Sequence, residues 1–138
     1  MLIQIAMYDL STNPTSLAII QSLATMHKTI AAVCHGPVAL LNATAPSGIP
    51  LLASATVTGF SNEEEQQVGM NTVLPFELET ELNRVSGGGY VRANEVWGKK
   101  VVVSESAGTF TGAKVVTGQN PASAAGVARE VLRILGLA

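Results

Sequence analysis

The chain has one cysteine, Cys34, and the next residue is one of only two histidines. The run Ala31-Ala-Val-Cys-His-Gly-Pro37 places this pair where an apolar segment meets a proline-initiated helix. A thiol at such a junction is the sulfur counterpart of a nucleophile elbow, a sharp turn that holds the reacting atom clear of the backbone. The turn requires close backbone approach, and Ala32 and Gly36, two residues to either side of Cys34, are small enough to allow it. A helix N-terminus favours thiolate over thiol through its free N–H groups and partial positive charge. Lowering an ordinary thiol pKa by about two units, ~2.7 kcal/mol, would leave it roughly three-quarters ionised at neutral pH. An exposed helix dipole supplies less than that, so a second group is required. His35 is adjacent: its ring can take the proton, and its backbone N–H is placed to stabilise an oxyanion. The competing reading is an inert buried thiol beside a structural histidine.

A carboxylate could orient that imidazole, as the third member of a triad does. Glu63-Glu64-Glu65 opens a helix, where acidic side chains also simply favour the dipole. Ser61 and Glu64 form a capping box, which commits Glu64 to structure and leaves Glu65 as the preferred orienter. Asp9 reads as a turn residue, and His27 as a partner of a helix C-terminus. One cysteine and two distant histidines show no metal-ligand spacing, and Gly87-Gly88-Gly89 lacks the strand and helix of a dinucleotide fingerprint. No cofactor or metal is therefore expected. Tyr90 and Trp97 read as core or interface anchors.

The elements that must hold these residues follow from apolar spacing. Leu2 to Met7, Thr29 to Val33, Ala55 to Thr58, Lys99 to Ser104 and Lys114 to Thr117 read as strands. Thr29 to Val33 is apolar at successive positions, as in a sheet covered on both faces. Asn13-Pro14 starts a helix expected to reach His27, with Leu17, Ile20 and Leu23 inward. Val38 to Leu41 begins another. Pro75 to Val85 carries Leu78, Leu82 and Val85 on one stripe, and Asn120-Pro121 opens a last amphipathic helix. Strands alternating with helices imply an α/β fold, in which ligands sit at the carboxyl ends of strands.

Composition narrows the function classes. Residues 1–138 are one domain's worth of chain, with 47% hydrophobic and only 13% charged side chains, so disorder is excluded. The low charge leaves apolar surface that points to a homo-oligomer. Eight scattered basic residues and 4% aromatics disfavour nucleic acid. No apolar stretch is long enough to cross a bilayer. A lone cysteine and an N-terminus without a basic flank suit the cytoplasm, with the nucleus left open.

At these residues the chain resembles the ThiJ/PfpI superfamily, the class I glutamine-amidotransferase-like group, in its glyoxalase III and heat-shock chaperone branch. The resemblance runs through Met7-Tyr-Asp-Leu10, Ala31-Ala-Val-Cys-His-Gly-Pro37, Val57-Thr-Gly-Phe-Ser-Asn-Glu-Glu-Glu65, Val73-Leu-Pro-Phe76, Val101-Val-Val103 and Val116-Thr-Gly-Gln-Asn-Pro-Ala-Ser-Ala124. It implies a flavodoxin-like doubly wound sheet with helices on both faces. It also implies Cys34 as nucleophile, His35 as its triad neighbour and Glu65 as acidic orienter. The implied activity is conversion of methylglyoxal, a small 2-oxoaldehyde, to D-lactate without glutathione. The alternative it implies is a catalytically impaired member that holds unfolded protein clients or self-associates. Family members carry a further N-terminal stretch with a sheet strand and a glutamate that hydrogen-bonds the cysteine. A Gly-Gly-His-Gly turn precedes the Met7-Tyr8 region in them, where this chain has Leu2-Ile-Gln-Ile-Ala6. The resemblance therefore implies a partial domain with N-terminal strand(s) missing.

Overall fold

Val115, Val116, Thr117 and Gly118 are buried in succession, which a strand achieves only where its sheet is covered on both faces. They belong to β3 (Lys114–Gly118), the middle strand of a three-stranded sheet ordered β1-β3-β2. The computed structural model describes residues 6–105 and 112–137. β1 (Ile30–Val33) pairs with β3 in parallel, and β2 (Val101–Glu105) pairs antiparallel, so Val33 and Val101 both face Gly118 in register. Among the described residues β1 is an edge strand. Its Ile30 is buried but Ala31 is exposed, so the full burial expected of Thr29 to Val33 is confined to β3.

The helices are α1 (Ala6–Asp9), α2 (Pro14–Thr25), α3 (Asn62–Gln67), α4 (Leu78–Val85) and α5 (Ala124–Ile134). Mixed α/β architecture thus follows the expectation. α5 packs on β3 and β1, with Val127 buried against Gly118. The main core gathers Met7, Ala24, Val38, Leu51, Leu52 and Leu82 around β1 and β3.

Several elements differ from the sequence reading. The expected strand Leu2 to Met7 falls mostly outside the described residues, and its end lies in α1, where Met7 is buried. α2 stops at Thr25 because His27 turns left-handed (φ 55°), and Lys28 N–H closes the end on Leu23 O. The helix after the elbow is a five-residue 3₁₀ turn, Gly36–Leu40. α4 begins at Leu78, after Pro75. Ala55 to Thr58 is no strand: only Val57 bridges, to Tyr90. Side chains of the sheet take its donors instead, Thr56 N–H bonding Ser104 Oγ and Thr58 N–H bonding Thr117 Oγ1.

One buried carboxylate ties the site's supports together. Glu64 completes the capping box of α3 with Ser61, accepting its N–H and Oγ–H on Oε2 at 2.9 Å each. Its Oε1 accepts Trp97 N–H at 3.2 Å, Gln119 Nε2–H at 3.0 Å and Asn120 Nδ2–H at 2.7 Å. Every one of these donors is neutral. Burial of a carboxylate is tolerable only with such saturation, and here it joins α3, the loop before β2 and the turn after β3.

Two stability changes follow. Glu64→Ala removes the acceptor of all five donors and is expected to lower unfolding free energy by about 2–4 kcal/mol in urea denaturation, against well under half of that for the exposed Glu63→Ala. At Gly118 an added Cβ would lie 2.7 Å from Val127 Cγ2 and 3.0 Å from Val33 Cγ2. Gly118→Ala is expected to destabilise by about 1–3 kcal/mol through overpacking, read by the same titration.

Candidate active site

The end of β1 runs straight into Cys34, whose backbone is left-handed at φ 62°. For a residue with a Cβ this conformation costs about 1–2 kcal/mol. Two backbone bonds impose it: Cys34 N–H donates to Gly118 O, and Phe60 N–H donates to Cys34 O, both at 2.9 Å. A Cβ on Gly36 would touch Ala32 Cβ at 3.4 Å, so the two small residues do close around the bend.

The structure brings Cys34, His35 and Glu65 together. Cys34 Sγ lies 3.3 Å from His35 Nδ1, and His35 Nε2 lies 2.7 Å from Glu65 Oε2. A carboxylate at Glu65 accepts from Nε2–H, the tautomer that leaves the Nδ1 lone pair facing the thiol. All three residues are buried, with Cys34 6% and His35 2% exposed. Glu65 Oε1 has no hydrogen-bond partner among the described residues. The neighbouring glutamates are engaged elsewhere: Glu63 accepts from the half-exposed Arg92 at 3.0 Å, and Glu64 holds the buried network.

Burial reverses the expected direction of thiol activation. Removal from water pushes the Cys34 thiol up from 9.0 to about 11. The His35 backbone hydrogen bond pulls it down, while the charges of Glu64 and Glu65 push it up further. A helix dipole was expected to supply the opposite effect, but the following 3₁₀ turn is short and does not offset desolvation.

Other candidate residues stand apart. His27 is exposed at the end of α2, and Tyr90 donates its hydroxyl to Gly59 O at 2.9 Å. A groove of about 410 Å³ is lined by Asn62, Glu79, Thr80, Asn83, Tyr90 and Arg92, and neither Cys34 nor His35 lines it. No group of three metal-ligating side chains occurs among the described residues. Sequence reasoning missed Phe60 and the Gln119–Asn120 pair. Phe60 stacks on His35 with ring centroids 4.5 Å apart. Its one local signal was its place just before the capping Ser61, where an apolar residue often fixes helix entry.

No protein-family model matches the sequence. Individual proteins do. A "probable glutathione-independent glyoxalase" of Schizosaccharomyces pombe is 37% identical over 110 residues, which are 77% of this chain and 46% of the relative. Glyoxalase 3 of Candida albicans is 29% identical over 107 residues, 75% of this chain and 42% of the relative. The crystal structure of glyoxalase III from Candida albicans superposes with a TM-score of 0.77 at 25% identity, covering 93% of this chain and 52% of that one. The chain spans about half the length of the relatives it matches. By sequence and by fold, it is a homologue of the glutathione-independent glyoxalases of the ThiJ/PfpI type.

Proposed function

We propose that this chain carries the cysteine, imidazole and carboxylate of a glutathione-independent glyoxalase that converts methylglyoxal to D-lactate. One observation carries the reading: the contiguous Sγ–Nδ1 and Nε2–Oε2 contacts at a left-handed cysteine. The names of the homologues support the reaction class and the small carbonyl substrate.

The high thiol pKa sets how the first step runs. With a value of about 11, only about one molecule in ten thousand holds a resting thiolate at neutral pH. The proton therefore leaves as the carbonyl arrives, passing from Sγ to His35 Nδ1 while Glu65 stabilises the imidazolium through Nε2–H. Sulfur bonds to the aldehyde carbon, the C=O π pair moves onto oxygen, and the proton held on His35 passes to that oxygen to give a hemithioacetal. Transfer of the proton from that carbon to the adjacent ketone-derived carbon, through an enediol, oxidises the first and reduces the second. No external oxidant is needed. The resulting thioester is hydrolysed by water, releasing lactate and restoring the thiol.

D-lactate formation from methylglyoxal without glutathione should be lost in Cys34→Ser and fall about 100-fold in Glu65→Gln. Product that survives Cys34→Ser, or no product from the unsubstituted chain, overturns the reading. The raised thiol pKa has its own signature. Between about pH 9 and 11 the unfolded chain has released the thiol proton and the folded chain still binds it. Stability should thus fall as pH rises through this window. Urea midpoints measured across it should drop, and Cys34→Ala should remove that part of the decline.

A further inference from the structure

The imidazole of His35 is held at two points, Nδ1 toward sulfur and Nε2 on Glu65. Both contacts lie in the ring plane, so the motion they restrain least is a swing about the Cβ–Cγ bond, which carries both nitrogens out of that plane. A contact on the ring face removes that freedom, and Phe60 supplies it at a centroid distance of 4.5 Å and a tilt of 33°. The backbone of Phe60 is anchored beside the imidazole, because its N–H is bonded to Cys34 O at 2.9 Å.

The stack continues outward. Trp97 meets Phe60 edge-on, with centroids 5.5 Å apart and planes at 65°, a favoured aromatic geometry. Trp97 is itself left-handed, at φ 64°, a conformation a bulky residue keeps only where its surroundings impose it. Two bonds do so: Trp97 N–H to Glu64 Oε1 at 3.2 Å, and indole Nε1–H to Gln67 Oε1 at 2.7 Å. Both acceptors belong to α3, the helix that presents Glu65. One end of the stack is therefore pinned to the thiol's own backbone and the other to the helix bearing the orienting carboxylate.

We propose that Phe60, backed by Trp97, is the positioning residue that fixes the plane of the His35 imidazole, keeping Nδ1 on the thiol and Nε2 on the carboxylate. This rests on the reading above that His35 receives the Cys34 proton. The ring face also stabilises the imidazolium formed when that proton arrives.

The test uses the full 138-residue chain labelled with ¹⁵N-histidine, with His27 as internal reference. The unsubstituted protein should show His35 as a single tautomer protonated at Nε2. Phe60→Leu keeps an apolar side chain but loses the flat face. It should mix the His35 tautomers and slow iodoacetamide alkylation of Cys34 at neutral pH about three- to tenfold, with His27 unchanged. Phe60→Tyr should retain both properties. A folded Phe60→Leu with one His35 tautomer and an unaltered alkylation rate overturns the proposal. Should Phe60→Leu fail to fold, Trp97→Leu at the exposed end is read in the same way: mixed tautomers support the stack, and an unchanged single tautomer overturns it. Neither readout involves methylglyoxal. Absent glyoxalase activity with a normal tautomer response counts against the proposed function and leaves the stack standing.

Discussion

Everything in the site depends on a cysteine forced into a backbone conformation it does not prefer. The left-handed turn at Cys34 survives because its N–H and carbonyl are both claimed, by Gly118 and by Phe60. Those bonds come from two different parts of the chain, β3 and the segment ahead of α3. The elbow is therefore a tertiary product. It exists only when the sheet has formed and α3 has docked, and the same docking delivers Glu65 to the far side of His35. Strain at one residue is paired with the arrival of every group that residue needs.

Glu64 and Glu65 show how burial can assign opposite duties to identical side chains. Both are nearly inaccessible to solvent. Glu64 is met by neutral donors from Ser61, Trp97, Gln119 and Asn120, and its charge is spread over a fixed network. Glu65 is met by an imidazole that can itself become charged. The first arrangement resists change and the second permits proton movement. Their combined negative potential also makes an ionised sulfur less favourable, so transfer to His35 is easier to reconcile with the site than a standing thiolate.

Local signals were legible in the sequence. The Cys34-His35 bend, the Ser61–Glu64 cap and the stripes of α4 and α5 depend on neighbours within a turn or two, and each formed close to where its spacing indicated. Choosing Glu65 over Glu64 as the residue facing His35 also rested on a local fact, the cap's claim on Glu64. Tertiary features were not legible. Ala55 to Thr58 has strand-like residues, but side chains 48 and 59 positions away capture its donors. The thiol's pKa follows from how deeply it is enclosed, which no spacing reveals. Phe60 and Trp97 lie far apart in the chain and meet because the Cys34 carbonyl holds the one and α3 the other.

Helix α3 is six residues long, Asn62–Gln67, and each step along an α-helix rotates the side chain by about 100°. Its three consecutive glutamates thus address three compass bearings: a surface arginine, an interior lattice of amides, and an imidazole. They are not spares for one another. Deleting any single residue between the cap and Glu65 would leave glutamates on the first two bearings and turn Gln66, an amide, toward the imidazole, so the count of letters in this stretch is as constrained as their identity.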